Sequence, residues 1–95
     1  MTAYVVFIKE RIKDQAELDL YASKVPAARA GHAMTPLARY GTLEVLEGPA
    51  MEGALIASFP TMEEAKAWYH SPAYQEAAQH RFAGADYRVF IVEGV

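Results

Sequence analysis

The alternation of short apolar runs with helical repeats predicts an α+β fold of β-α-β-β-α-β order: a four-stranded antiparallel sheet with its helices on one face. Three observations carry this. Four segments rich in β-branched and aromatic residues have strand length. Two amphipathic stripes at helical spacing separate them. The first and third strands, which right-handed crossovers place in the middle of such a sheet, contain the fewest charges.

Taken in order, Tyr4-Val5-Val6-Phe7-Ile8 is a continuous apolar run and reads as a strand buried on both faces. The charged stretch Lys9 to Lys13 closes it. Asp14 and Glu17 have the spacing of a capping box, with Asp14 as N-cap and Glu17 reaching back. Leu18, Tyr21, Ala22 and Val25 recur at helical spacing, leaving Glu17, Asp19 and Lys24 for solvent. Pro26 cannot sit inside a helix without losing a hydrogen bond. It is expected as a kink, or as the start of a second short helix running to about Gly31, a C-terminal stop.

Thr35 to Tyr40 reads as extended, with a bend or bulge at Gly41-Thr42. Leu43 to Glu47 is a second extended piece, ended by Gly48-Pro49. Ala54 to Phe59 is the next strand, apolar on both faces. Thr61 and Glu64 open the second helix with capping-box spacing. Met62, Ala65, Trp68 and Tyr69 form its apolar stripe. Ser71-Pro72 restarts the helix as N-cap and first residue, and Ala73, Tyr74, Ala77, Ala78, Arg81 and Phe82 continue it to Gly84. Tyr87 to Val92 is the last strand. This is the ferredoxin-like split βαβ arrangement, and residues 1–95 amount to a single domain.

Composition narrows the function classes. The net charge is −3 and no block of Lys or Arg exists to track a phosphate backbone, so nucleic acid is not expected as a partner. No apolar run approaches the ~20 residues of a membrane helix, and the start lacks the pattern of a signal peptide. The expected location is the cytoplasm. With no cysteine, disulfides, thiolate nucleophiles and cysteine metal sites are excluded.

The hydrophobic fraction is 53%, more than one small core can hide. Two helical segments cover one face of the sheet, so the other should alternate with polar residues. It does not. Tyr4, Val6 and Ile8 oppose Val5 and Phe7; Leu55, Ala57 and Phe59 oppose Ala54 and Ile56; Val89 and Ile91 oppose Phe90 and Val92. Covering about 500 Å² of that second face is worth on the order of 12 kcal/mol before association costs. An identical sheet packed face to face would cover it and make a homodimeric α/β barrel. The alternative is that long side chains and the Thr35–Glu47 segment shield the face within one chain.

Several segments together resemble a bacterial family called domain of unknown function 1330. They are Leu43 to Gly48, Ser58-Phe59-Pro60-Thr61 leading to Ala67-Trp68-Tyr69, Ser71-Pro72-Ala73-Tyr74-Gln75, and the ending Ile91 to Val95. The resemblance covers nearly the whole chain. It implies a ferredoxin-like fold in the dimeric α+β barrel superfamily. That superfamily includes cofactor-free monooxygenases, haem-degrading enzymes, muconolactone isomerase-like proteins, dye-type peroxidases and stress-related dimers, among which fold alone does not choose. One departure stands out. Arg39-Tyr40-Gly41-Thr42 occupies the place where many relatives have an arginine followed by two glycines, and the bulkier Tyr40 would narrow a pocket there.

The residues able to carry chemistry are few. His32, at the exit of the first helical region, has the side chain best suited to proton transfer near neutral pH; otherwise it is an exposed loop residue. Arg39 could hold a carboxylate or enolate through a bidentate contact, or pair with Glu44 or Glu47. Tyr74 and Arg81 share one helix face two turns apart, with Trp68 and Tyr69 just upstream. Such an aromatic wall with one arginine suits a small planar anion. Otherwise the aromatics are core, and Arg81 caps the helix or pairs with Asp86. His32, His70 and His80 show no metal-ligand spacing, and no metal or tightly held cofactor is expected. No nucleophilic triad order, phosphate-cradling loop or dinucleotide fingerprint is present.

The first reading is a dimeric small-molecule protein of enzyme type acting on a small carbonyl or phenolic compound; for a catalysed reaction the resemblance implies cofactor-free chemistry, isomerase or monooxygenase-like. Arg39 or Arg81 would steady an oxyanion, His32 or a tyrosine would move a proton, and Tyr40, Trp68 and Tyr74 would line the ligand site. The alternative is a non-catalytic dimer that binds a metabolite or a protein. A haem or metal binder is a third reading, which the scattered histidines disfavour.

Overall fold

The computed structural model describes residues 1–95. Its elements are β1 (Ala3–Ile12), α1 (Gln15–Arg29), β2 (Thr35–Arg39), β3 (Gly53–Phe59), α2 (Met62–Tyr69), α3 (Pro72–Gly84) and β4 (Ala85–Glu93). The strands form one antiparallel sheet in the order β2-β3-β1-β4, so the strands built on the uncharged runs Tyr4 to Ile8 and Ala54 to Phe59 are central, as expected.

The register settles which parity faces inward. Ala3, Val5 and Phe7 of β1 are buried, as are Ala57 and Phe59 of β3. Ala65, Trp68, Tyr74 and Ala78 of α2 and α3 close over them and complete the core. The opposite parity forms continuous rows across the sheet. Phe90, Val6 and Ile56 stand in one row, and Val92, Tyr4 and Ser58 in the next. Phe90 and Val92 are 45% and 49% exposed. The Thr35–Glu47 segment does not shield that face: its first part is β2 itself, and Leu46 is 85% exposed.

Four local expectations need correction. Lys9 to Lys13 does not close the first strand, which runs to Ile12 through a register shift between Lys9 and Arg11. The charges continue the strand because Asp86 of β4 holds Arg11 at 2.7 Å and Lys13 at 3.4 Å. No second helix starts at Pro26. The proline lies near the end of a continuous α1 and is itself exposed, so the carbonyl it leaves unpaired can turn to water. Leu43 to Glu47 joins no strand ladder, because Tyr40 adopts φ 52° and turns the chain off the sheet. Finally, Asp14 caps α1 by accepting from the N–H groups of Ala16 and Glu17, but the Glu17 carboxylate reaches His80 of α3 instead, at 2.7 Å.

That last contact belongs to a polar seam. α1 packs mainly on α3, through Glu17–His80, Lys24–Glu76 at 3.7 Å and the phenols of Tyr21 and Tyr74 at 2.8 Å. Close approach is possible at Gly84, where a Cβ would lie 2.8 Å from the Leu18 side chain. The outcome is that α1 leans on α3 and stands off the sheet, leaving a gap.

Candidate functional site

The gap is a cleft of about 690 Å³ between α1 and the helix-facing side of the sheet. Its floor is Phe7, Leu55 and Ala57, its back wall Trp68, and its α1 side Tyr21, Ala22, Val25 and Pro26. Such a mostly apolar hollow with few polar groups is the usual form of a small-molecule site. Its cationic groups are Lys9, Arg29 and Arg39. Against them stands one carboxylate, Asp19, which already accepts from Gln15 at 2.9 Å.

Tyr40 closes one end. The inward-facing row there is Gly53, Lys9 and Tyr87 across three strands. The Tyr40 ring lies over Gly53, where a Cβ would come within 2.9 Å of Cδ1. The Lys9 ammonium sits 4.4 Å from its ring centre. Its hydroxyl meets that of Tyr87 at 2.9 Å. The left-handed φ of 52° is a conformation glycine adopts freely and a bulky residue rarely does. The narrowing expected of Tyr40 is thus present, at a backbone position made for glycine.

Behind the cleft the rings interlock. Trp68 and Tyr74 lie 4.3 Å apart between centroids, and Tyr69 and Tyr74 5.3 Å. Trp68 is fully enclosed, and its indole N–H has no acceptor. Burial raises the phenols of Tyr21, Tyr74 and Tyr87 above the ordinary tyrosine range, and burial raises Tyr40 too, with its bond to Tyr87 pulling the other way. All four therefore keep their protons at neutral pH and act as hydrogen-bond donors, not bases.

Of the residues singled out in the sequence, Arg39, Tyr40 and Trp68 line the cleft. Tyr74 does not line it: the ring is fully buried, and only its hydroxyl bonds to a lining residue, Tyr21, at 2.8 Å. Arg39 has no ion pair, neither with Glu44 nor with Glu47. Arg81 lies deeper, among rings, and lines a separate smaller hollow; it does not pair with Asp86. His32 stands in the turn after α1, half-buried, and is not among the cleft-lining residues. No group of three or more histidine or carboxylate side chains converges as metal ligands would. Sequence reasoning missed Lys9, Tyr21 and Tyr87. Tyr21 was absorbed into an apolar stripe and Tyr87 into a strand; the one available signal was a phenol, which needs a partner, at each position.

No helix is long and apolar enough to cross a membrane. A family model described as Domain of unknown function (DUF1330) matches residues 2–95. No protein of curated function matches the sequence. Among solved structures, a protein of unknown function from Rhodopseudomonas palustris is similar at TM-score 0.77 and 18% identity, over 99% of this chain and 82% of that one. A dimeric ferredoxin-like protein of unknown function from Jannaschia is similar at 0.67 and 16%, over 99% and 100%. SnoaB, a cofactor-independent oxygenase from Streptomyces nogalater, is similar at 0.58 and 11%, over 99% and 92%. At such identities the likeness shows a common ferredoxin-like fold.

Proposed function

We propose, from the premise that this chain belongs to the family Domain of unknown function DUF1330, that it is a homodimer binding a small carbonyl or phenolic compound in the cleft between α1 and the sheet. The cleft itself is the observation that carries this reading: about 690 Å³ of mostly apolar lining with Arg39, Tyr40 and Lys9 at its polar end. The dimer is supported by the uncovered outer rows of the sheet and by fold relatives that are dimers. Two sheets packed face to face through those rows would close an α/β barrel. We take residues 1–95 as one domain and its location as the cytoplasm.

For a catalysed reaction we favour cofactor-free isomerisation or oxidation, the latter being the chemistry of one relative of the same fold. Arg39 would oppose the charge developing on an enolate or phenolate oxygen. Of the bonded pair Tyr40 and Tyr87, the hydroxyl that accepts from its partner keeps its own proton free and would donate it in a hydrogen bond to that oxygen. A second reading, binding without turnover, is favoured by a specific observation: no histidine lines the cleft, and its one carboxylate, Asp19, already accepts from Gln15 at 2.9 Å.

Thermal-shift screening against phenols, ketones and aromatic carbonyl compounds tests both readings. A ligand at about a hundred times its dissociation constant adds ~2.7 kcal/mol. A hit whose turnover vanishes in Arg39→Ala supports the enzyme; a hit bound unchanged for hours supports the binder. Hits that ignore both Arg39→Ala and Tyr40→Ala would place the ligand elsewhere and sink the cleft assignment.

A further inference from the structure

α3 carries an arginine that the cleft does not use. Arg81 is 3% exposed, and a guanidinium remains charged at any pH a protein meets. Its surroundings are aromatic: its central carbon lies 4.9 Å from the ring centre of Phe82, 5.1 Å from Tyr87 and 5.4 Å from Phe7. Nη2 donates to the Tyr69 hydroxyl over a long 3.4 Å, and Nε has no partner. Of the two carboxylates five positions away, Asp86 is held by Arg11 at 2.7 Å and Lys13 at 3.4 Å, and Glu76 by Lys24 at 3.7 Å. A buried cation without a counter-charge is among the less favourable arrangements in a protein, and rings offset only part of the lost hydration.

The same side chain lines an open hollow of about 380 Å³ between the end of α3 and the start of β4, with Tyr69, Phe82, Tyr87 and Val89. Tyr87 is the wall it shares with the cleft. Asp86 lies at this hollow too, with its charge balanced by the two cations that hold it. The remaining lining suits a flat apolar body, and a guanidinium with one long hydrogen bond and no counter-charge suits a carboxylate.

We propose that Arg81 anchors a second site, separate from the cleft, for a small planar carboxylate. The carboxylate takes the guanidinium donors and the body lies against Phe82, Tyr87 and Val89. The site stands whether or not the cleft ligand is ever found, because it rests on a different hollow.

Benzoate is the probe, with benzyl alcohol as its neutral counterpart. Calorimetry at low chloride should show benzoate binding at least about tenfold tighter than the alcohol. Arg81→Met and Arg81→Lys should each weaken benzoate by about tenfold or more, lysine because it lacks the fork, and the exposed Lys66→Met should not. Methyl resonances in the wild-type protein should shift at Val89 and not at Met34 or Leu55, which needs no variant to fold. Equal binding of the alcohol, unchanged affinity in both Arg81 variants, shifts centred on Met34 and Leu55, or no benzoate binding up to about 10 mM would each overturn the proposal.

Discussion

The hydroxyls of Tyr40 and Tyr87 meet at 2.9 Å although their segments flank opposite edges of the sheet, beyond β2 and on β4. The Tyr40 ring spans Gly53 and Lys9 to make this contact. The pair is therefore a strap across two central strands, and it is partly wet. Tyr40→Phe and Tyr87→Phe should each cost about 0.5–1 kcal/mol, and the double variant less than their sum, with a coupling near 0.5 kcal/mol. Urea unfolding of the four proteins measures this. Strict additivity would mean that the two hydroxyls do not depend on each other.

Alkaline pH should unfold the protein through its tyrosines. Burial raises Tyr21, Tyr74, Tyr87 and Tyr40 in the folded state. A group raised on folding contributes stability that is whole below its unfolded value, about 10 for tyrosine, and is lost as pH climbs toward the folded one. Unfolding free energy should be level with respect to these four groups from neutral pH to about 9.5 and fall above 10. Absorbance at the phenolate band should then rise together with loss of circular dichroism. Smooth ionisation of all six tyrosines in an intact fold would contradict the burial argument.

The outer sheet face makes a separable prediction. Val6 stands between Ile56 and Phe90 in one row of the outer face, itself half-buried, whereas Val5, one residue earlier, is fully buried. Val6→Glu should leave a folded chain yet weaken self-association by about a hundredfold, because a charge then faces its own copy. Val5→Glu should not fold. Sedimentation velocity across a concentration series reads the first effect. A wild type that stays monomeric at micromolar concentration would remove the reason for the experiment.

The fold was legible where physics is local. Ser71-Pro72 starts α3 and Thr61 caps α2 because cap chemistry depends on neighbours three residues away. Strand order followed from charge content and handedness. What escaped was decided at a distance. Glu17 abandoned its own capping box because His80 sits across the helix seam, and Arg11 extended β1 because Asp86 waits on β4. Pro26 stayed inside α1 because packing of that helix on α3 outweighs one missing bond. At the cleft, Arg39, Tyr40 and Trp68 are lining residues that residue type and position alone single out. Tyr21, Tyr87 and Lys9 were not, because only the sheet register and the stand-off of α1 bring them to the cleft.

That stand-off turns on one residue. Gly84 ends α3 against the start of α1, and its carbonyl accepts the N–H groups of Lys13 and Asp14 at 2.8 and 2.9 Å. A Cβ there would lie 2.8 Å from Leu18 Cγ and Cδ2 and 3.0 Å from the Leu18 backbone nitrogen. Alanine favours a helix over glycine by about 1 kcal/mol, but overpacking costs about 1–3 kcal/mol. Backbone cannot swing aside as a side-chain tip can, so the steric cost wins. Gly84→Ala should lower stability by about 1–2 kcal/mol, a melting temperature drop of roughly 5–12 °C for a domain this size. Gly41→Ala, with open space at its Cβ, should stay within about 0.5 kcal/mol. Calorimetry of both decides it: a Gly84→Ala protein as stable as wild type would mean that α1 can shift on α3, and the width of the cleft would then be adjustable.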